Sequence, residues 1–307
     1  SGEFRRRFAV PIERHRDGDR AERLRQMVRP FVLRRVKTDR SVIDDLPPCT
    51  TTIEHATLTP EQATLYEQAV SGMMGELGEA EGMRRRGLVL AMLVRLKQIC
   101  NHPGLVEGDA DSSEIGIDPE AIRNRSGKCR RLCEMLEEVQ ASGSKALVFT
   151  QFRRMGHLLV SMLRRTLDRE ILFLHGGTPT AKRQEMVDRF QEAGNDIPVF
   201  VLSLKAGGVG LNLTAANHVF HFDRWWNPAV ENQATDRAFR IGQTRAVQVH
   251  KFVCSGTLEE RIDRMIESKV ELAKNIVGSG ENWLTELDTD ELRNLLTFRG
   301  GDFGDDE

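Results

Sequence analysis

The chain has 307 residues, of which 39% are hydrophobic and 29% charged, and its formal net charge is −2. This balance is typical of a soluble globular protein with one large or two modest domains, and no apolar run approaches the roughly 20 residues that span a bilayer. The five cysteines are scattered and lack zinc-type spacing, so we expect them to be reduced, without a disulfide framework. Reduced cysteines favour a location in the cytoplasm of a bacterium or archaeon, or in a nucleus.

The first 40 residues are strongly basic, with 13 Lys and Arg against six acidic residues, whereas the chain ends in GDFGDDE. A basic block favours a polyanionic partner, although a solvated surface would have the same composition. Within it, residues 17–37 have the apolar spacing of an amphipathic helix that Pro30 interrupts.

Residues 49–58 alternate and are rich in β-branched side chains, which predicts a strand. The segment TPEQ at 59–62 matches the N-cap, N1 and N3 positions of a helix. A second helix is predicted over 84–101, and the acidic, Gly/Ser/Asp-rich stretch 104–126 indicates a loop or linker.

From residue 127 onwards, short apolar strands alternate with helices. Strands are predicted at 145–150, 171–175, 198–203, 218–222 and 247–253, and helices at 128–141, 153–167, 179–193, 228–240 and 257–277. Buried strands separated by helices are typical of a parallel α/β sheet covered on both faces. Because such sheets bind ligands at the carboxyl ends of their strands, the informative loops begin at 151, 175, 203 and 223.

The loop after the third of these strands reads SLKAGGVGLNL. Gly207, Gly208 and Gly210 permit positive φ and close approach of a phosphate, and Lys205 beside them would suit an anion. The segment fails as a dinucleotide fingerprint because Leu213 stands at the third glycine position. A chain turn without a ligand is the alternative interpretation.

The loop after the fourth strand reads DRWWNP. Asn227 and Pro228 are suited to the N-cap and N1 positions of a helix. Trp225 and Trp226 precede them, and they either pack against the helix start or form a platform beside nucleic acid.

The helix predicted over 228–240 would place Gln233, Asp236, Arg237 and Arg240 on one face. In one interpretation this is an exposed helix whose Asp–Arg pair contributes under about 1 kcal/mol. In the other, the arginines complete a phosphoryl-transfer site, because a planar, always-charged guanidinium stabilises the charge on the equatorial oxygens.

Two glycines follow the strand that ends near residue 175, and Lys182 and Arg183 lie in the first turn of the next helix. Basic residues there oppose the helix dipole, which is tolerable where they face a backbone phosphate. Solvated side chains are the alternative.

Taken in order, these segments resemble the Swi/Snf family of DNA-translocating ATPases, within helicase superfamily two. KALVFTQF resembles motif IV, and LHGGTPTAKRQEMVDRF resembles the segment after it. SLKAGGVGLNLTAANHVFHFDRWWNP resembles motif V, and NQATDRAFRIGQTRAVQVHKFV resembles motif VI. GTLEERIDRMIESK resembles the helix that braces the two lobes, while PFVLRRVKTD and LVRLKQICNHPGL resemble the segments that join them. The resemblance covers nearly the whole chain, and WWNP together with RIGQ separates this family from other helicase-like ATPases.

The resemblance implies a RecA-like second lobe over residues 127–255. Before it would lie the basic helical tail of lobe one and a connector (1–48), then a strand and helical protrusion with a loop (49–126). After it would come a brace helix and an acidic tail (256–307).

The resemblance also implies roles for individual residues. Arg237 and Arg240 would act as arginine fingers on ATP, with Gln233 in the same cleft and Asp236 orienting the arginines. Residues expected to bind the nucleotide are Gly208, Gly210 and Asp236. Residues expected to contact DNA are Ser203, Lys205, Thr150, Gln151, Arg183 and Trp226. No metal ligand is expected in this lobe.

One departure from the family is the absence of a GxxxxGK[ST] phosphate loop and of a DE-x-H motif for Mg²⁺. The nearest segment, SGKCRR at 126–131, lacks the upstream glycine and the following Ser or Thr. Since the chain also opens on SGEF without Met, we expect a lobe-two fragment, with ATP and Mg²⁺ held mainly by the upstream lobe of the same polypeptide. Alone it would be a monomer that hydrolyses little or no ATP, and in the complete enzyme it would bind double-stranded DNA.

Two alternatives remain open at this stage. One is an RNA-helicase-type unwinding lobe, against which RIGQ and WWNP argue. The other is a non-enzymatic nucleic-acid or protein-binding module that reuses the fold, since fold alone does not decide function. The intact arginine pair favours the motor.

Overall fold

The computed structural model describes residues 46–78, 80–107, 118–203, 210–268, 285 and 287–300, together with Arg20 and Met27. The chain divides into two compact units, residues 1–46 and 47–307. The helix predicted over 17–37 falls in the first unit and, apart from those two residues, lies outside the described part of the chain. The sheet and its helices belong to the second unit.

Six parallel strands form one sheet in the order β1-β6-β5-β2-β4-β3. Their bounds are β1 Cys49–Ala56, β2 Ala146–Thr150, β3 Ile171–Leu174, β4 Val199–Ser203, β5 His218–His221 and β6 Val247–Cys254. Strands β2 and β4 are buried along their whole length, which is why their sequences are continuously apolar. The predicted parallel α/β fold is confirmed.

The strand predicted from residue 49 is one edge of this sheet. It pairs in parallel with β6 along all eight residues, from Cys49 opposite Val247 to Ala56 opposite Cys254. Its first four residues are exposed, in keeping with an edge position. The alternating pattern indicated a strand but not its partner.

Most of the helices fall close to predicted positions. Their bounds are α1 Pro60–Gly78, α2 Gly82–Asn101, α3 Pro119–Asn124, α4 Gly127–Ala141, α5 Arg153–Leu167, α6 Thr180–Gln191, α7 Pro228–Thr235, α8 Leu258–Ser268 and α9 Thr289–Leu296. No helix among the described residues is long and apolar enough to cross a membrane.

Helices cover both faces of the sheet. On one face Val148, Val201 and Phe220 share a core with the buried sides of α4 and α5. On the other, Phe149 and Leu202 pack with residues of α6 and α7. Successive residues of β2 therefore serve opposite faces, as the pleat requires. A third core joins α1, α2, α8 and α9.

Helix α1 begins as the sequence predicted. The Thr59 backbone N–H donates to Gln62 Oε1 over 3.2 Å, and the Gln62 N–H donates to Thr59 Oγ1 over 3.2 Å. This reciprocal pair is a capping box, which satisfies two N–H groups that the helix cannot pair internally.

The predicted loop 104–126 differs from the structure, and only part of the predicted brace helix lies within the described residues. The predicted loop 104–126 contains the short helix α3 and part of a 3₁₀ turn, Pro103–Leu105, while residues 108–117 lie outside the described part. The brace helix predicted over 257–277 is described as α8 from Leu258 to Ser268, and its continuation lies outside the described residues. Helix α9, which the sequence did not predict, starts with a capping box formed by Asp288 and Glu291.

Candidate functional site

The candidate site lies at the carboxyl ends of the parallel strands. Thr150 ends β2 opposite Ser203 at the end of β4, and Phe149 pairs with His221 at the end of β5. The loops that leave these three strands therefore start side by side, as expected for the ligand-binding edge of such a sheet. The loop 204–209, which contains Lys205 and Gly208, lies outside the described residues.

Asp223 is the polar centre of this edge. Its carboxylate is buried and accepts from Thr150 Oγ1 over 2.6 Å and from the Gln151 backbone N–H over 2.9 Å. Asn101 Nδ2, at the end of α2, donates to it over 3.1 Å. Burial raises the pKa of Asp223 above its ordinary value, although the hydrogen bond from Thr150 opposes that effect. Asp223 thus holds three segments together.

Thr150 and Gln151 are both engaged within the protein. Thr150 is fully buried and its hydroxyl faces Asp223, so in this conformation it is not accessible to a ligand. The Gln151 side chain donates through Nε2 to the Arg224 carbonyl over 2.7 Å. These contacts shape the turn after β2, and direct contacts of the two side chains with DNA stay a prediction.

Trp226 has the environment of a packed side chain. Only 2% of it is exposed, and the Lys97 ammonium lies 3.6 Å from the centre of a ring, a cation–π contact. Its φ of 44° lies in the left-handed region, which is unusual for a bulky residue and marks a constrained loop. Of the two predicted interpretations, packing at the helix start describes Trp226 in this conformation, whereas Trp225 is half-buried.

A buried ion-pair network holds the loop before α7. Arg224 pairs with Asp263 of α8, and its Nε lies 3.0 Å from Glu231 Oε1 in α7. Lys251 Nζ, on β6, lies 2.9 Å from the other oxygen of Glu231. Burial alone would raise the pKa of Glu231, but the two cations outweigh it and lower the pKa to about 2. None of these four residues was predicted as functional, because charges this far apart in the chain carry no local signal.

Helix α7 is shorter than predicted, which changes the geometry of the arginines. It ends at Thr235, and the following residues form tight turns, with the Arg237 N–H donating to the Ala234 carbonyl over 3.2 Å. The expectation that Gln233, Asp236, Arg237 and Arg240 share one helical face is therefore wrong. Asp236 is instead the C-cap of α7, and Gln233 is exposed near its end.

Hydrogen bonds from Leu213 and Gln243 hold the turn after α7. The Arg237 carbonyl accepts from the Leu213 N–H over 2.9 Å. The buried amide of Gln243 donates through Nε2 to the carbonyls of Thr214, Ala216 and Ala238 at 2.8 to 3.1 Å. Because the carbonyls of Arg237 and Ala238 bind groups outside a helical ladder, these two residues do not continue the helix. Gln243 belongs to the quoted RIGQ segment, but the sequence did not show what it binds.

The two arginines occupy different environments at this edge. Arg237 is largely buried, with its guanidinium carbon 5.6 Å from the centre of the Phe149 ring, and burial lowers its pKa. Arg240 is exposed, and its Nη1 donates to the Gly210 carbonyl over 3.4 Å. Gly210 has a φ of 103°, which glycine adopts without strain. The turn thus places one arginine against the sheet and the other beside the end of the Gly-rich loop.

Arg183 stabilises the loop after β3. Its Nε donates to the Thr178 carbonyl over 2.8 Å and its Nη2 to the Gly176 carbonyl over 3.1 Å. The neighbouring Lys182 is exposed. Arg183 therefore binds carbonyls of its own loop in this conformation, and its predicted contact with DNA stays a prediction. Lys182 is the more accessible cation of the two.

The segment nearest to a phosphate loop has a different role. Lys128 is fully buried and its ammonium lies 2.8 Å from Glu259, so it is not available to a phosphate. Within the described part of the chain, the residues that could together hold a metal ion are Cys100, Cys254 and Glu259. The Lys128 ammonium already supplies a positive charge to that group.

The sequence and the structure were compared with known proteins. A model of the helicase conserved C-terminal domain matches residues 127–242, and one of the SNF2-related domain matches residues 1–105. The chain is 47% identical over 295 residues to a putative ATP-dependent helicase/translocase, YwqA, of Bacillus subtilis. The aligned residues make up 96% of this chain and 31% of that protein. The chain thus spans about a third of that relative's length.

Solved structures agree with these matches. The Sulfolobus solfataricus SWI2/SNF2 ATPase core in complex with double-stranded DNA superposes with a TM-score of 0.71 at 40% identity, covering 97% of this chain and 60% of that one. The C-terminal domain of the Sulfolobus solfataricus SWI2/SNF2 ATPase gives a TM-score of 0.67 at 38% identity, covering 82% of this chain and 99% of that domain.

Proposed function

The chain belongs to the Swi/Snf family of ATP-dependent helicases and translocases in helicase superfamily two, and on that premise we propose that it is the second motor lobe of a DNA translocase. In this role it supplies arginine fingers and part of the DNA-contacting surface, while a first lobe holds ATP. The observation that carries the proposal is the turn after α7, which sets Arg237 over Phe149 near the carboxyl end of β2 and Arg240 beside Gly210, at the end of the Gly-rich loop.

The environments of the two arginines support different roles in binding a phosphoryl group. Burial disfavours the charge of Arg237, so a phosphate brought next to it would be bound more strongly than by a solvated arginine. Arg240 extends from the exposed end of the turn, where it can meet a second oxygen of the same group. A guanidinium in each position suits the charge that develops on the equatorial oxygens of a transferring phosphoryl group.

The described residues fit the phosphate end of ATP but not Mg²⁺. Asp223 and Glu231, the buried carboxylates of this edge, already accept from protein donors. Lys128, in the only GK pair of the sequence, is committed to Glu259. We therefore assign Mg²⁺ and most of the ATP contacts to the first lobe, and expect the 307-residue chain alone to hydrolyse little or no ATP.

DNA would run along the same edge. The Sulfolobus relative has been solved as a complex with double-stranded DNA, which supports a duplex as the ligand. On this chain the contacts would come from Ser203, Lys205 and the loop that Arg183 holds, with exposed Lys182 beside it. Contacts with phosphates make such binding sensitive to salt and largely independent of sequence.

Arginine variants of the complete two-lobe protein test the proposal. We expect Arg237→Ala or Arg240→Ala to lower the DNA-stimulated kcat of ATP hydrolysis by about 10³-fold, the scale of an arginine finger. The apparent Kd for duplex DNA, measured by fluorescence anisotropy, should change less than about threefold, since one phosphate contact at most is lost.

Arg189→Ala is the matched control. Arg189 is an arginine of α6 that pairs with Glu170 at the surface, so its loss should leave both quantities close to those of the wild-type protein. Retention of more than a tenth of the turnover by both finger variants would remove the assignment of Arg237 and Arg240. Robust hydrolysis by the 307-residue chain alone would contradict the half-motor proposal.

A further inference from the structure

A continuous chain of buried polar groups connects the brace helix with the candidate site. It starts at Glu259 in the first turn of α8 and passes through Lys128 in the first turn of α4 and Asn101 at the end of α2. It ends at Asp223, after β5. All four residues are almost completely buried. We call this chain the buried relay.

Each link of the buried relay is a direct hydrogen bond. Lys128 Nζ lies 2.8 Å from Glu259 and donates to Asn101 Oδ1 over 3.1 Å. Asn101 Nδ2 donates to Asp223 Oδ2 over 3.1 Å. The amide of Asn101 therefore has a fixed orientation, with its oxygen on the ammonium and its nitrogen on the carboxylate, because the opposite orientation would place NH₂ against NH₃⁺.

The Asp223 end acts on the turn after β2. Oδ1 accepts from the Gln151 backbone N–H over 2.9 Å, and Oδ2 accepts from Thr150 Oγ1 over 2.6 Å. Gln151 then donates to the Arg224 carbonyl, in the loop that leads to α7 and its arginines. Displacement of Asp223 would therefore move both loops of the site at once.

Cations lie close to both carboxylates of the buried relay. Burial alone would lower the pKa of Lys128, but the negative charge of Glu259 outweighs it and raises the pKa. Lys128 and Lys97 in turn favour the ionised form of Asp223. A buried polar network that is fully satisfied holds its members in one geometry, whereas a partly satisfied one does not.

We propose that Asp223 is a positioning residue: Lys128 and Asn101 hold it, and it fixes the turn after β2. Through these contacts the brace helix and the helical pair α1–α2 are coupled to the stimulation of ATP hydrolysis by DNA. The inference rests on the proposed motor function and adds a residue that touches neither ATP nor DNA. The geometry on which it stands is the four-member hydrogen-bonded chain and its two contacts with Thr150 and Gln151.

Asp223→Asn in the complete two-lobe protein is the test. An asparagine has one acceptor oxygen, so it must turn an NH₂ either to the Gln151 N–H or to the donors Asn101 and Thr150. We expect the ratio of DNA-stimulated to basal ATPase rate to fall about tenfold or more, because small displacements of site loops have effects of this size. The measurement is made well below the Tm of each variant.

A double variant separates positioning from loss of stability. In Asn101→Asp/Asp223→Asn the carboxylate moves one step along the buried relay, where it can accept from Lys128 and from the new amide. The Gln151 N–H regains an acceptor, so the double variant should recover most of the ratio. Asn195→Ala is the control, since Asn195 caps the end of α6 before β4, at the opposite edge of the sheet. It should lower the Tm and leave the ratio within about twofold of the wild-type value.

The outcomes are distinguishable. If the wild-type two-lobe protein shows no DNA-stimulated ATPase activity, the proposed function fails. If the wild-type protein is stimulated and a folded Asp223→Asn variant keeps the full ratio, the inference about the buried relay is overturned. The same conclusion holds if the double variant is folded and remains as impaired as the single one.

Discussion

Lys128→Met should destabilise the chain far more than most single substitutions. The change keeps the approximate length of the side chain but removes its charge, so Glu259 stays ionised in the core. Among the described residues, the Cys254 N–H, 3.0 Å away, is the donor that remains for its carboxylate. Asn101 Oδ1 loses its donor at the same time. The perturbation therefore leaves one buried charge and one buried acceptor without their cation.

The magnitude follows from the burial of both partners. The side chains of Lys128 and Glu259 are 0% exposed, so water cannot replace the lost interaction. Removing one partner of such a pair costs about 3–5 kcal/mol, against under about 1 kcal/mol for an exposed pair. For a unit of this size, roughly 2–4 °C of Tm corresponds to each kcal/mol, so we expect a decrease of roughly 6–20 °C.

Thermal and urea denaturation of the 307-residue chain, followed by circular dichroism, measure this effect. Lys128→Met/Glu259→Gln is the matched control, because removing both charges together should recover most of the loss. Arg131→Met, in the same helix but 42% exposed, should cost under about 1 kcal/mol. A Lys128→Met variant within 1 kcal/mol of the wild-type chain, or a double variant no more stable than the single one, would refute the reasoning.

Two further predictions concern stability. Burial lowers the pKa of His102, His218 and His221 to about 4. Below pH 6.5 the unfolded chain therefore binds more protons than the folded one, and the Tm should fall as the pH drops from about 6.5 towards 4. His221→Asn should make this dependence shallower, and a Tm that does not change with pH would contradict the burial of these histidines. Gly127→Ala should destabilise the chain by about 1–3 kcal/mol in urea denaturation, because its Cβ would lie 1.9 Å from the Thr57 carbonyl oxygen. Gly87→Ala, in open space on α2, should instead stabilise the chain by up to about 1 kcal/mol. Equal effects of the two variants would be evidence against the close approach of Gly127 to Thr57.

The elements that the sequence predicted well are those specified by local patterns. Strands β2 and β4 were recognisable because residues 146–150 and 199–203 are continuously apolar, as strands covered on both faces must be. The start of α1 was recognisable because its capping box lies within four consecutive residues. Family resemblance then located the motifs, because it compares the order of whole segments.

The contacts that were not predictable are those between distant parts of the chain. The partner of β1 lies about 200 residues away, and nothing in the alternation of residues 49–56 specifies β6. Thr150 was expected to face DNA, but whether it does depends on Asp223, 73 residues further along. The packing of Trp226 likewise depends on Lys97. A polar residue at the end of a strand indicates the ligand-binding end of the sheet. Whether its side chain faces a ligand or another part of the protein depends on residues that are distant in the sequence.

The end of α7 shows why the predicted placement of the two arginines on one helical face was wrong. Helical periodicity over 228–240 assumes that each carbonyl binds the N–H four residues on. The Arg237 carbonyl instead binds Leu213, and Gln243 binds the Ala238 carbonyl, so the chain turns after Thr235. As a result Arg237 packs over Phe149 while Arg240 lies at the surface beside Gly210, which a single helical face would not allow. If both arginines meet one phosphoryl group, they approach it from different sides of this turn. Gln243 holds the turn, because its backbone N–H donates to the Arg240 carbonyl and its side chain donates to the Ala238 carbonyl.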